Sequence, residues 1–259
     1  MFKALHTAAS GMYAQQRYVE VVANNIANVN TTAFKRTGLA FADLLYVNAQ
    51  QPGAPTASGS TLAGIQLGSG STVVGTTKDF RPGNAYQTGQ VWDFAIAGEG
   101  FFQIENSGGE PFYARAGSFR IDVDGGLTTP SGRRLLNGPS GLQNALDVQV
   151  SRDGRVSGEV AGVRTDLGQI QIVTFPNPAG LSAEGDNLYK PTEVSGTASP
   201  GNPGENGAGT LEQGYLERSN VDIAAELIDL IVAQRAYETN SRAISTADQM
   251  MANANQVVR

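Results

Sequence analysis

Residues 221–257 read VDIAAELIDLIVAQRAYETNSRAISTADQMMANANQV, and an apolar residue returns at every seventh position: Ile223, Leu230, Tyr237, Ile244, Met251 and, just beyond, Val258. Such a heptad places one narrow apolar stripe along a helix. The companion positions are Glu226, Ala233, Asn240, Ala247 and Ala254, small or polar residues that admit close approach of another helix. Ser219 precedes Asp222 by three, a capping-box-like start. A helix over about 221–257 would be roughly 55 Å long at ~1.5 Å per residue.

Moving outward to the other end, Leu5, Met12, Val19 and Ile26 are also spaced by seven. Ala8, Val22 and Val29 occupy the companion row, and Gln15 interrupts it. Asn24, Asn25, Asn28 and Asn30 then crowd together, and Asn tolerates the left-handed conformation that ends helices, so a stop near 28–30 is expected. Between the helices the period changes to two. Trp92–Ile104, Pro111–Val123, Leu146–Val150 and Gln169–Phe175 alternate or run apolar, bounded by turn signals at Asp124-Gly125-Gly126, Asp153-Gly154 and Asn177-Pro178. The expected fold class is α+β: N- and C-terminal assembly helices flanking a mostly antiparallel all-β domain. The expected divisions are an N-terminal helix at 1–30, an extended charge-poor connection at 31–71, a β domain at 72–212 and the C-terminal helix segment at 213–259.

Composition removes several function classes. The chain has 259 residues, a net charge of −6 and no cysteine. Phosphate contacts need clustered Lys and Arg, so nucleic acid is not an expected partner. Disulfides, thiolate nucleophiles and cysteine metal sites are excluded. Met1–Ala14 lacks the unbroken apolar run of a secretory signal, and no stretch approaches the ~18 apolar residues that span a bilayer.

Chemistry is thin elsewhere. His6 is the only histidine, and a lone histidine builds neither a zinc site nor a triad without partners. Asp122-Val-Asp124-Gly125 resembles the opening of a calcium loop but lacks its remainder, so a hairpin turn is the simpler reading. Asp93, Glu99, Glu105 and Glu110 carry no spacing that marks a glycosidase pair. Gly98-Glu99-Gly100 is too short for a dinucleotide fingerprint, and Trp92 reads as a core or interface aromatic. No catalytic residue, cofactor or metal is expected.

The terminal helices are therefore the informative feature. Pairing them within one chain closes a loop of about 190 residues, an entropy loss that one thin seam only partly offsets. A bundle drawn from many chains would bury both stripes more fully.

The segment Ala23-Asn-Asn-Ile-Ala-Asn-Val-Asn-Thr-Thr-Ala-Phe-Lys-Arg36, with Leu5-His-Thr-Ala-Ala-Ser-Gly-Met12 before it, resembles the N-terminal signature of flagellar rod and hook axial proteins. Gly214-Tyr-Leu-Glu-Arg-Ser-Asn-Val221 and Ala233-Gln-Arg-Ala-Tyr-Glu-Thr-Asn-Ser241 resemble the C-terminal one. Asp93-Phe-Ala-Ile-Ala-Gly-Glu-Gly-Phe-Phe-Gln103 and Ala114-Arg-Ala-Gly-Ser-Phe119 match in the middle. Ala33 stands where the family usually has Gly, so this chain either needs no positive φ there or bears mild strain. Gln51-Pro-Gly-Ala54, Asn177-Pro-Ala-Gly-Leu181 and Gly185-Asp-Asn-Leu188 are similar to the distal rod branch, with the proximal rod branch as the alternative.

The resemblance implies a structural subunit of a hollow, rigid, torque-transmitting shaft. Its implied partners are further copies in a helical homopolymer, proximal rod proteins, the hook protein, and the rod cap and ring proteins. It implies passage through the type III export apparatus without a cleaved signal and residence in the basal body, across the periplasm to the outer membrane, not embedded in a membrane. The assembly face so implied comprises Leu5, Met12, Val19, Ile26, Asn25, Asn28 and Phe34, then Ile223, Leu230, Tyr237, Ile244, Met251 and Val258. No charge occurs from Leu44 to Thr77, and Pro52, Leu62, Ile65 and Leu67 are expected to pack between neighbouring subunits.

Overall fold

The computed structural model describes residues 2–50, 55–56, 59–60, 64–106 and 110–257. They form two compact units: Met1–Ala27 with Thr37–Thr77 and Asp222–Arg259, and Asn28–Arg36 with Lys78–Val221. This division differs from the expected one at 28–36, at 72–77 and at 213–221, the last of which falls in the β unit and not with the C-terminal helix. Residues 72–77 belong with the helices because they pair with Thr37–Asp43, and residues 28–36 belong with the strands because Lys35 is buried among them.

In the first unit, α1 runs Phe2–Ala27 and α2 runs Ile223–Val257. α2 is capped by Asp222, whose carboxylate accepts the backbone N–H of Ala224 at 2.9 Å and of Ala225 at 3.5 Å. The cap is thus Asp222 and not Ser219. Its negative charge also faces the positive end of the helix dipole. The helices pair antiparallel: Asn25 lies against Glu226, and Gly11 lies against Asn240. Ala8, Ala14, Val22 and Asn25 are buried on α1, and Glu226, Ala233 and Ala247 on α2. A Cβ added to Gly11 would sit 2.9 Å from Asn240 Nδ2, so the weak helix former sits where the helices come close.

The charge-poor stretch is a folded-back ribbon where an extended connection was expected. Thr37–Asp43 pairs with Ser71–Lys78, and Val47–Gln50 pairs antiparallel with Ile65–Leu67. Asn25 clasps its base: Nδ2 donates to the Thr37 carbonyl and the Thr37 N–H donates to Oδ1, both at 2.9 Å.

The second unit holds the antiparallel strands. A four-stranded sheet runs in the order Ser182–Gly185, Leu188–Lys190, Phe112–Ala114, Phe102–Ile104. A meander joins Leu146–Val150, Arg155–Val160 and Val163–Gln169. Phe94–Ala97 pairs with Thr210–Gln213, and Ala85–Gln87 with Tyr215–Glu217. Two hydrophobic clusters result. Phe102, Ala114, Ile172 and Leu188 enter the first, while their neighbours Phe101, Tyr113, Val173 and Tyr189 enter the second. That alternation is the period-two pleat of strands apolar on both faces. Trp92 packs, partly buried, against the first cluster.

The expected strand at 92–104 is broken into Phe94–Ala97 and Phe102–Ile104. Gly98 and Gly100 take φ of 123° and 140°, and turn their carbonyls toward Arg115.

Candidate assembly interface

Within the first unit, the row that joins the two helices is the companion row, not the aliphatic stripe. Of the predicted stripe on α2, Ile223 and Tyr237 are exposed, and Leu230, Ile244 and Met251 are half-buried; Val258 lies outside the described residues. On α1, Leu5, Met12, Val19 and Ile26 are all half-buried. Small side chains let the backbones approach, so the larger ones are displaced to the edges of the seam. A second apolar row, missed in the sequence, is exposed beside it: Leu227, Ile228, Ile231 and Val232, with Ile228 62% exposed. Its signal was present as pairs of adjacent aliphatics, which the heptad reading discarded.

Asn25 is buried in the seam and so presents nothing outward. Its Nδ2 donates to Glu226 Oε2 at 3.1 Å. This buried polar pair selects one antiparallel register, since any slip strands both groups. The predicted packing segment keeps Ile65 and Leu67 exposed, with Leu45, Tyr46 and Val47 beside them; Pro52 and Leu62 lie outside the described residues.

In the second unit, Phe34 is buried, with Lys78 Nζ 5.1 Å from its ring centre, so it is a core residue and not part of an outward face. Asn28 is half-buried, and the turn it begins is closed by the Thr31 N–H donating to its carbonyl at 3.1 Å. Next to Phe34, Lys35 donates to Glu217 Oε1 at 2.6 Å and to the Arg81 carbonyl at 2.8 Å. Arg115 Nε donates to Glu217 Oε2 at 2.6 Å, and its remaining nitrogens hold the carbonyls of Ile96, Gly98 and Gly100. The Gly83 N–H completes the carboxylate at 2.7 Å. Lys35, Arg115 and Glu217 are each at most 3% exposed. Burial would push the Glu217 carboxyl up, but Arg115 and Lys35 together hold it below its usual range.

Asn220 adds a second knot, accepting the Arg36 N–H at 2.7 Å and donating to the Asp79 carbonyl at 2.8 Å. The residues 33–36, 115 and 217–220, far apart in sequence, thus converge on one point. All of them lie in the signature segments quoted above, but no spacing rule links them.

Among the described residues, no group of three or more His, Cys, Asp or Glu could hold a metal, and no helix is long and apolar enough to cross a membrane. His6 is exposed on α1. Asp122–Gly125 is a hairpin turn, with the Gly125 N–H donating to the Asp122 carbonyl at 2.9 Å.

Family models match three parts of the chain: flagella basal body rod protein over residues 5–35, flagellar hook protein FlgE/F/G D1 domain over 95–158, and flagellar basal body rod FlgEFG protein C-terminal over 212–257. The chain is 45% identical to the flagellar basal-body rod protein FlgG of Borreliella burgdorferi over 267 aligned positions covering all of both chains. It is 40% identical to FlgG of Bacillus subtilis, over 97% of each chain. Against the rod protein FlgF of Caulobacter vibrioides the identity is 33%, over 98% of this chain and 97% of the other. Lys35, Arg115, Glu217 and most of the helix pair fall within these matched regions, and the chain belongs to the flagellar basal-body rod protein family.

Proposed function

We propose that the chain is a structural subunit of the distal rod, polymerising helically into a rigid shaft, with the outward aliphatic rows of α2 as the principal contact. The observation that carries this reading is the exposure of Leu227, Ile228, Ile231 and Val232 beside the half-buried Leu230 and Ile244. Contiguous exposed apolar rows mark interaction surfaces, and burying each such side chain is worth about 1.5–3 kcal/mol. Greater identity to the FlgG proteins, at 40–45%, than to FlgF at 33% favours the distal over the proximal rod.

The finer partners follow from that assignment: further copies, proximal rod and hook proteins, the cap and rings, and the export apparatus. The shaft would cross the periplasm, reached by export without a cleaved signal. Ile65 and Leu67 would pack between copies and stiffen it. The role is architectural and not catalytic; a turbidity assay on cell walls that showed lysis would contradict that.

The test is assembly of purified chain with rising concentration, followed by sedimentation and electron microscopy. Wild type should form rods. Ile228→Asp with Val232→Asp should stay monomeric while the strands keep their circular dichroism, because the charges would enter a dry contact. Rods of normal yield from that variant would refute the reading.

A further inference from the structure

Residues 210–220 form a strap to which three separated regions of the β unit are fastened. Thr210–Gln213 pairs with Phe94–Ala97, and Tyr215–Glu217 pairs with Ala85–Gln87. The Leu211 N–H donates to the Arg152 carbonyl at 3.0 Å, the Gly214 N–H to that of Asp93 at 2.8 Å, and the Arg218 N–H to that of Asn84 at 2.9 Å. Gln213 ties two of these regions together. Its Oε1 accepts the Val150 N–H at 2.9 Å, and its Nε2 donates to the Val91 and Val148 carbonyls, both at 3.1 Å.

The strap also supplies two groups that the interior of the unit depends on. Leu211 is 1% exposed within the first hydrophobic cluster. Glu217 is the counter-charge of both Lys35 and Arg115, which lie 182 and 102 residues before it. With Glu217 removed, two buried cations repel each other and their shared carboxylate is gone. Buried charges left in that state are strongly destabilising, and the whole stability of a domain is a small difference between large terms.

Every partner of the strap named above precedes it in the chain, so it is the last part of the β unit to be made. Asn220 closes on Arg36 across 184 residues. Such long-range closures carry the largest loop entropy and are formed slowly.

We propose that this strap gates the folding of the β unit: residues 28–36 and 78–209 stay unfolded until 210–220 closes over them. A chain that emerges from its N-terminus, whether from a ribosome or through a narrow pore, then keeps its strands unpaired until little more than α2 remains to come. The gate acts within a single copy and does not depend on polymerisation.

Native-state hydrogen exchange on the full-length monomer in low urea tests the gate. A strap that cannot leave a folded unit exchanges only by global unfolding. The Leu211, Gly214 and Arg218 amides should then match the protection and urea dependence of Phe101 and Val173, whose N–H groups bond each other's carbonyls at 2.8 Å in the second hydrophobic cluster. Strap amides that exchange about tenfold faster or more, with a shallower urea dependence, while Phe101 and Val173 stay protected, would reveal a folded unit without its strap and overturn the gate. Leu211→Ala should raise exchange at Phe101 and Val173 by the same factor as at Gly214 and Arg218; a rise confined to the strap overturns the gate as well. As a second readout, chains halted on the ribosome should be cut freely by protease between 78 and 209 while the strap is still inside, and should resist once it is out. Resistance before the strap emerges refutes the proposal.

Discussion

At Glu217 a single carboxylate holds two buried cations, and its loss is the largest single-residue effect expected here. Glu217→Gln leaves Lys35 and Arg115 buried without a counter-charge, which should cost about 3–5 kcal/mol in urea melts. The same site sets an acid limit. Its carboxyl is depressed in the folded state, so its stabilisation is full above the ordinary carboxylate range and is lost as pH falls through the folded value. Melts from pH 7 to pH 3 should show that loss in the wild type and a flatter profile in Glu217→Gln. Ala33 shows a different balance. It has φ of 55°, is fully buried, and its N–H donates to the Glu217 carbonyl at 2.8 Å. The left-handed conformation costs an Ala roughly 1–2 kcal/mol, while Gly would lose a buried methyl worth about 0.8 kcal/mol and gain unfolded-state freedom. Ala33→Gly should therefore move stability by less than about 1 kcal/mol. Ala33→Val, β-branched at positive φ, should destabilise severely in the same melts.

The helix pair works through small residues inside and aliphatic residues outside. Ala233 is fully buried in the seam, so Ala233→Leu should overpack it at about 1–3 kcal/mol. Faster hydrogen exchange in α1 and α2, with the strands unchanged, is the expected readout. Wild-type helices should themselves exchange faster than the β unit, because a seam of Ala, Asn and Gly buries little apolar area. Leu230→Asp or Ile244→Asp should abolish rods without unfolding the strands, as a charge cannot enter a dry contact without a partner. Equal rod yield from either would remove the stripe from the assembly face.

The whole molecule is two units whose boundaries do not follow the order of the chain. Residues 28–36 supply Lys35, Phe34 and the left-handed Ala33 to the β unit, so a fragment covering 28–221 should melt cooperatively. A fragment covering 78–221 should not, because Glu217 and Arg115 lose one member of the cluster and the core loses Phe34. Calorimetry of both fragments decides this. Deleting 48–66 should leave the β unit folded but give a more flexible or curved polymer, measured as bending stiffness in micrographs.

Periodicity alone was enough to place both helices and the β character of the middle, since the 3.6 and 2.0 repeats are local consequences of backbone geometry. The signature segments were likewise legible in the sequence. Three things depended on tertiary structure. The first is which row of each helix faces the other: the small row allows close approach, so it wins the seam over the more conspicuous Ile223–Met251 stripe. The second is the fold-back of the charge-poor stretch, whose strands are paired through long-range ladders and an Asn25 clasp that carry no local period. The third is the Lys35–Glu217–Arg115 cluster. Its members are separated by 80 residues or more along the chain, and a buried charge reveals its partner only when the chain has closed around it.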